Sequence, residues 1–159
     1  MNKGAIISEC QQYRYSIWRI WDDKKPLIGF IGLNPSTADG NNDDKTLERC
    51  IKFAKEWGFG GLYLGNLFAY RSPKPKDMLK YQNPIGNEND KYLVEIANEV
   101  NKLVVCWGND GKHLGRAKHV KELFKDKDLY CLIINKTGEP KHPLYIEKIC
   151  ELKLYQEPK

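Results

Sequence analysis

The residues of this chain most able to do chemistry lie in polar segments that follow apolar runs. In IGLNPSTADGNNDD, residues 31–44, the apolar run ends at Asn34, and Pro35 holds Asn34 in an extended conformation. The Asn34 amide offers two donors and one acceptor, and Ser36 and Thr37 add hydroxyl groups. These groups can bind a polar ligand or position a water molecule. They also suit an ordinary capped turn, so both interpretations stay open.

Two carboxylates, Asp43 and Asp44, stand where a helix is predicted to begin. Acidic residues at this position accept hydrogen bonds from the first turn and interact favourably with the helix dipole. Capping is therefore the favoured role for both residues, and a catalytic role is the alternative.

A second polar segment contains Asn66, inside an apolar run, and Arg71 in a proline-rich loop. A buried asparagine needs hydrogen-bond partners, and an arginine can bind a phosphate or a carboxylate through its fork of donors. A structural salt bridge is the alternative for Arg71. A third polar segment, WGNDG, begins at Trp107, where a third apolar run ends. Trp107 is expected to be a core residue or a wall of a binding site.

A fourth polar segment, KTGEPKHPLY, contains His142 together with Lys136 and Lys141. A histidine in a loop shaped by glycine and proline is a candidate for a functional group. The other two histidines, His113 and His119, are six residues apart, which is the wrong spacing for a metal pair on one helix face. We expect no metal and no cofactor. The chain also lacks a P-loop, a G-x-G-x-x-G motif and a G-x-S-x-G motif, which disfavours NTPases, dinucleotide enzymes and α/β-hydrolases.

The elements that position these groups alternate between strand and helix. Four short apolar runs indicate buried parallel strands, whereas the alternating aromatic segment of residues 13–21 indicates an antiparallel or edge strand. The predicted parallel strands cover about residues 27–33, 61–70, 102–108 and 129–135. The predicted helices cover about residues 43–57, 76–81, 88–100 and 113–125. This pattern predicts a single domain over residues 1–159, an α/β fold with a three-layer α/β/α sandwich and a central, mainly parallel sheet.

In such a sheet, ligands bind beyond the carboxyl ends of the strands. All four polar segments follow predicted strands, so we expect them to form one cleft.

Composition and charge restrict the class of protein. The chain has 159 residues, of which 41% are hydrophobic and 30% charged, and its apolar runs are too short to cross a bilayer. Its first residues lack a long apolar core and a cleavage site, so we expect no signal peptide. Its five cysteines form no C-x-x-C pair. We therefore expect a cytoplasmic protein with no membrane partner. Residues 112–148 carry nine basic and five acidic side chains, which suits a phosphate-bearing partner or a solvated helix face. The oligomeric state stays open.

Taken in order, several motifs resemble a family of proteins of unknown function, domain-of-unknown-function family 1643. The resemblance covers roughly residues 10–146 and rests on LNPSTAD with the following DD, CIKFAKEWG, GNLFAYR, PIGNEND, WGNDG and HPLY.

A more distant resemblance links three of these motifs to the uracil-DNA glycosylase superfamily. Gly32 to Pro35 is similar to the G-x-N-P motif, residues 65–73 to the N-x-x-x-x-R-P loop, and His142-Pro143 to the start of the H-P-S loop. The resemblance implies a uracil-DNA glycosylase-like fold and a nucleic acid or nucleotide as partner.

The same resemblance implies roles for individual residues. Asn34 would position the attacking water, Asn66 would read a base edge, and His142 would contact a base carbonyl. Apart from the resemblance, the chemistry of base removal could use Asp39 or Asp43 as general base. Side chains that would hold phosphates are Arg71, Lys136 and Lys141.

Two alternatives stay open beside hydrolysis of an N-glycosidic bond. One is a non-catalytic module that binds a nucleotide or nucleic acid, and the other is an enzyme that acts on a small modified nucleoside. The loop HPLY lacks the serine that usually follows the proline, which favours these alternatives.

Overall fold

The structure is a computed structural model that describes residues 1–158. Within these residues, seven strands form one sheet with the order β1-β2-β4-β3-β5-β6-β7. The strands are β1 Asn2–Ile7, β2 Arg14–Ile20, β3 Leu27–Gly32, β4 Gly61–Asn66, β5 Lys102–Val105, β6 Leu129–Cys131 and β7 Lys153–Gln156.

The centre of the sheet is parallel, as the apolar runs predicted. β3 pairs in parallel with both β4 and β5, and β5 pairs in parallel with β6. β2 runs antiparallel to β4, β1 runs antiparallel to β2, and β7 runs antiparallel to β6. The fold is therefore α/β with a mixed, mostly parallel central sheet. β2 is not at the edge, because β1 covers its outer side.

The helices connect the parallel strands. They are α1 Lys45–Glu56, α2 Pro75–Lys80, α3 Asn89–Glu99 and α4 Arg116–Leu123. Short 3-10 helices cover Asn109–Gly115 and Pro143–Tyr145. The predicted start of α4 at residue 113 is wrong, because the chain passes through left-handed backbone conformations at Leu114 and Gly115 before the helix begins.

The two faces of the sheet are covered by different helices. α1 packs on one face through Leu47, Cys50, Phe53 and Ala54, against core strand residues that include Phe30. On the other face, α3 and α4 pack against the alternate strand residues, which include Ile31, Leu103 and Val105. Successive apolar side chains of each strand point to opposite faces of the sheet, so the sheet contributes to one apolar core on each face. No helix in residues 1–158 is both long enough and apolar enough to cross a membrane.

Candidate functional site

A cleft with a volume of about 970 Å³ lies at the carboxyl ends of the parallel strands. Its walls come from the loops after β3, β4, β5 and β6 and from the first turn of α1. The predicted site residues that line it are Asn34, Ser36, Thr37, Asp43, Trp107, Lys141 and His142. The predicted site residues outside its lining are Pro35, Asn66, Arg71 and Lys136.

Asn34 is held in one orientation by the loop that follows β4. Its Nδ2 donates to the carbonyl oxygens of Ser72 at 3.0 Å and Pro35 at 3.2 Å, and lies 3.5 Å from the carbonyl oxygen of Tyr70. The backbone N–H of Ser72 donates in turn to the carbonyl oxygen of Pro35 at 2.8 Å. Because both amide hydrogens point at these carbonyls, Oδ1 is the part of the Asn34 amide that can accept a bond from a ligand.

The two adjacent carboxylates have different environments. Asp44 is the N-cap of α1: its Oδ1 accepts from the backbone N–H of Leu47 at 2.9 Å, and its Oδ2 accepts from the N–H of Ala38 at 3.2 Å. Arg14 lies 4.0 Å from the same Oδ2. Burial lowers the pKa of Arg14 to about 10, so this guanidinium stays charged at neutral pH. Both oxygens of Asp44 are therefore committed to the fold.

Asp43 is partly exposed, and Arg19 binds one of its oxygens. Arg19 is only 1% exposed, and its Nε donates to Asp43 Oδ1 at 2.9 Å. Its two terminal nitrogens donate to backbone carbonyls of residues 4, 18, 39 and 42. Arg19 thus fastens the loop of residues 39–43 to the sheet. The second oxygen of Asp43 stays available to the cleft.

His142 presents a neutral imidazole with a defined tautomer. The backbone N–H of Leu144 donates to His142 Nδ1 at 3.2 Å. Burial lowers the pKa of His142 to about 4, although the carboxylate of Asp44 acts in the opposite direction. At neutral pH, Nδ1 is therefore an acceptor and the proton resides on Nε2. The ring supplies a hydrogen-bond donor without a positive charge.

Trp107 forms a wall of the cleft and is 1% exposed. Its indole nitrogen donates to Glu139 Oε2 at 2.5 Å. A Cβ atom at Gly111 would lie 2.1 Å from Trp107 Cδ1, so only glycine allows the loop after β5 to fold over the indole ring. Trp107 therefore contributes shape to the cleft and has no open face on which a base could stack.

Asn66 lies below the cleft, buried at the end of β4 and 4% exposed. It pairs with Gly32 in the parallel register, and a Cβ at Gly32 would lie 2.8 Å from Asn66 Oδ1. Among residues 1–158, the Asn66 Nδ2 group has no hydrogen-bond partner. An unpaired buried donor costs about 1–3 kcal/mol, so this amide is suited to a bound water or ligand atom.

Several residues that line the cleft lie outside the set predicted from the sequence. Glu48 lies one turn after Asp44 on α1, and this i, i+4 spacing could have placed it on the same side of the helix. Leu144 and Tyr145 line the cleft with 47% and 74% exposure, immediately after the His142-Pro143 motif. Asp110 also lines it, from the 3-10 helix after β5. Nothing in its local sequence distinguishes Asp110 from an ordinary surface residue.

The carboxylates and histidines of residues 1–158 do not gather into a metal site. In the described part of the chain, no group of three or more His, Cys, Asp or Glu side chains could hold a metal ion.

Comparison with known proteins identifies one family that this chain matches. Neither the curated proteins nor the solved structures contain a match to the chain. The model of one family, described as a protein of unknown function (DUF1643), matches residues 14–144. This match spans most of the domain, including β2 to β6 and every wall of the cleft apart from Tyr145. The chain therefore belongs to the DUF1643 family.

Proposed function

We propose that this protein is uracil-DNA glycosylase-like and binds a nucleobase in the cleft, where it hydrolyses the bond between the base and its sugar. The observation that carries the proposal is the pairing of two uncharged groups in one cleft. Asn34 supplies an acceptor of defined orientation, Oδ1, and His142 supplies a neutral donor, Nε2–H. Nucleobases carry carbonyl oxygens and ring N–H groups, which are complementary to such a pair.

The charges near the cleft also favour an uncharged ring. Asp43 is paired with Arg19, and Asp44 lies beside Arg14. The remaining charged lining residues are Glu48, Asp110, Lys45 and Lys141, which are two acids and two bases. A cleft with no excess of either charge binds a neutral heterocycle more readily than a bare phosphate.

In the proposed reaction, water attacks the anomeric carbon of the sugar. A bond forms between the water oxygen and this carbon, and the carbon–nitrogen bond to the base breaks. The electron pair of that bond leaves with the base, whose carbonyl accepts a hydrogen bond from His142 Nε2–H. Asn34 Oδ1 has two lone pairs, so it orients the water with one while it accepts from the base with the other. The free oxygen of Asp43 takes the proton of the water. Donors placed where charge develops contribute about 10²–10³ in rate each.

The exposed side chains of Leu144 and Tyr145 fit a polymeric partner. Large apolar groups at the edge of a polar cleft can insert beside an extruded base and replace its stacking neighbours. Tyr145 also packs edge to face with the His142 ring, at 5.9 Å between ring centroids. A base displaced from a strand would thus meet Tyr145 before it reaches His142.

A non-catalytic binding module is the second candidate, and one observation favours it. Both oxygens of Asp44 and one oxygen of Asp43 are already engaged by the protein. In that case, Asn34 and His142 would read a base without activating water.

A screen of base release separates the two candidates. The substrates are free nucleosides, nucleotides and single- and double-stranded oligonucleotides containing damaged bases. If the protein is a hydrolase, at least one of these substrate classes should release its base. Asn34→Ala and His142→Ala should then each lower the rate of release about 10²–10³-fold. Glu56→Gln serves as the control, because this exposed residue ends α1 outside the cleft.

Binding that depends on Asn34 and His142, without base release, would support the non-catalytic module. If no member of the panel is bound or cleaved, the proposal of nucleobase recognition is wrong.

A further inference from the structure

One wall of the cleft belongs to a strongly basic loop. Residues 71–80, which comprise a turn and the short helix α2 and are called here the basic loop, contain four basic side chains and one acidic one. Ser72, Pro73 and Pro75 of this loop line the cleft. In the described chain, the ammonium groups of Lys74, Lys76 and Lys80 make no ion pair or hydrogen bond.

The two ends of the basic loop are joined by stacked aromatic rings. Tyr70 precedes the loop and Tyr81 follows it, and their rings stack with 3.8 Å between centroids and 10° between planes. Inside the loop, the Ser72 hydroxyl donates to the carbonyl oxygen of Lys74 at 2.8 Å, and Met78 is fully buried. These contacts hold the backbone of the basic loop in one conformation, from which its lysine side chains extend into solvent.

The basic loop is also fastened directly to the cleft. Asn34 Nδ2 donates to the carbonyl oxygen of Ser72, and the Ser72 N–H donates to the carbonyl oxygen of Pro35. The three lysines stand outside the cleft. The four carboxylates of the cleft lining are balanced by two lining lysines and by the buried Arg14 and Arg19. The charges of Lys74, Lys76 and Lys80 are therefore separated from the uncharged donor and acceptor that would hold a base.

From this separation we infer that the basic loop is a binding surface for the phosphate backbone of a nucleic acid strand, which presents one base to the cleft. The inference rests on the proposed function, since it assumes that a nucleobase occupies the cleft. A free nucleoside has no phosphates for Lys74, Lys76 and Lys80 to contact. A nucleic acid strand has phosphates on both sides of the bound base for these lysines to contact. Arg71 at the start of the basic loop provides a further cation.

The test is the salt dependence of strand binding. A fluorescent single-stranded oligonucleotide is titrated with protein at several salt concentrations, and the logarithm of its affinity is plotted against that of the salt. Each phosphate contact contributes roughly 0.7 to the slope for single strands. We expect the triple variant Lys74→Gln, Lys76→Gln and Lys80→Gln to reduce the slope by about 2 and to weaken binding at low salt at least about tenfold.

A matched variant controls for the loss of net charge. Lys118→Gln, Lys125→Gln and Lys127→Gln remove the same three charges from exposed positions on and after α4, away from the cleft. This variant should keep the slope of the wild type. Thermal unfolding of both triple variants checks that they are folded.

The outcomes separate this inference from the proposed function. If the wild type binds nucleosides through Asn34 and His142 but both triple variants keep its slope for the strand, or lose it equally, the basic loop is not the backbone surface. If the wild type binds neither nucleoside nor strand, both the inference and the proposed function are wrong.

Discussion

The side-chain amide of Asn34 donates a hydrogen bond of 3.0 Å to the carbonyl oxygen of Ser72. This contact joins the loop after β3 to the loop after β4 and sets the direction of the Asn34 acceptor at the same time. One residue therefore serves the architecture of the cleft and its capacity to bind a ligand, so its substitution should affect both.

Asn34→Ala should lower the free energy of unfolding by about 1–2 kcal/mol, because it leaves carbonyl oxygens of a half-buried turn without their donor. Asn34→Asp should cost at least as much, since a carboxylate would face those carbonyl oxygens. Ser36→Ala, on the same loop, should cost about 0.5 kcal/mol or less. Urea unfolding measures all three. An Asn34→Asp protein as stable as the wild type would show that the amide does not hold the turn.

The two adjacent aspartates should differ in their effects on stability. Asp44→Ala removes the N-cap of α1 and the carboxylate beside buried Arg14, and should cost about 2–3 kcal/mol. Asp43→Ala removes one partner of Arg19, which keeps its backbone contacts, and should cost about 1 kcal/mol. Chemical denaturation of the two variants gives the comparison. If Asp43→Ala lowered the free energy of unfolding more than Asp44→Ala, Asp44 would not be the residue that caps α1.

His142 should titrate well below the ordinary range of histidine. Its pKa in the folded protein is about 4, against 6.5 for the free side chain, because burial disfavours the charged form. NMR of the ring protons should therefore show no titration of His142 between pH 8 and pH 5. A His142 signal with a midpoint near 6.5 would contradict the neutral tautomer on which the site depends.

The lowered pKa of His142 also predicts how the stability of the protein depends on pH. Between pH 6.5 and pH 4, the unfolded chain binds a proton at His142 that the folded protein does not bind. Stability should therefore fall as the pH falls through this window, by at most about 1.4 kcal/mol per pH unit, and the effect should be absent above it. His142→Gln should remove this contribution. Equal pH dependence of wild type and variant would argue against a shifted His142.

The central part of the fold could be predicted from sequence because its signals are local. Continuous apolar runs that end at polar turns gave the four parallel strands and their common edge. The outer strands could not be predicted in this way. β1, NKGAII, begins with polar residues, and β7, KLYQ, has four residues of mixed character, so pairing with their neighbours decides their conformation.

In the cleft, too, some features follow from local sequence and others depend on contacts between distant parts of the chain. The positions of Asn34 and His142 after strands could be read from local pattern. The sequence could not show whether Asp43 or Asp44 is the N-cap, because both side chains suit that role. In the structure, Asp43 is bound by Arg19 of β2 and Asp44 caps the helix. Asn66 lies below the cleft because the register of β4 places it beside Gly32, and a register is a relation between two strands.

The most direct test of nucleobase recognition is an NMR titration of isotope-labelled protein with nucleosides. If a nucleoside binds between Asn34 and His142, the largest chemical-shift changes should occur at the backbone amides beside these two side chains. Leu144 is the clearest reporter, since its N–H donates to His142 Nδ1. Gly108, whose missing Cβ would lie 3.7 Å from His142, should also respond, while amides of α4 should stay unchanged. Saturating changes at Leu144 and Gly108 that vanish in Asn34→Ala and His142→Ala would support the account. The absence of changes there with every nucleoside, or changes confined to another face of the protein, would contradict it.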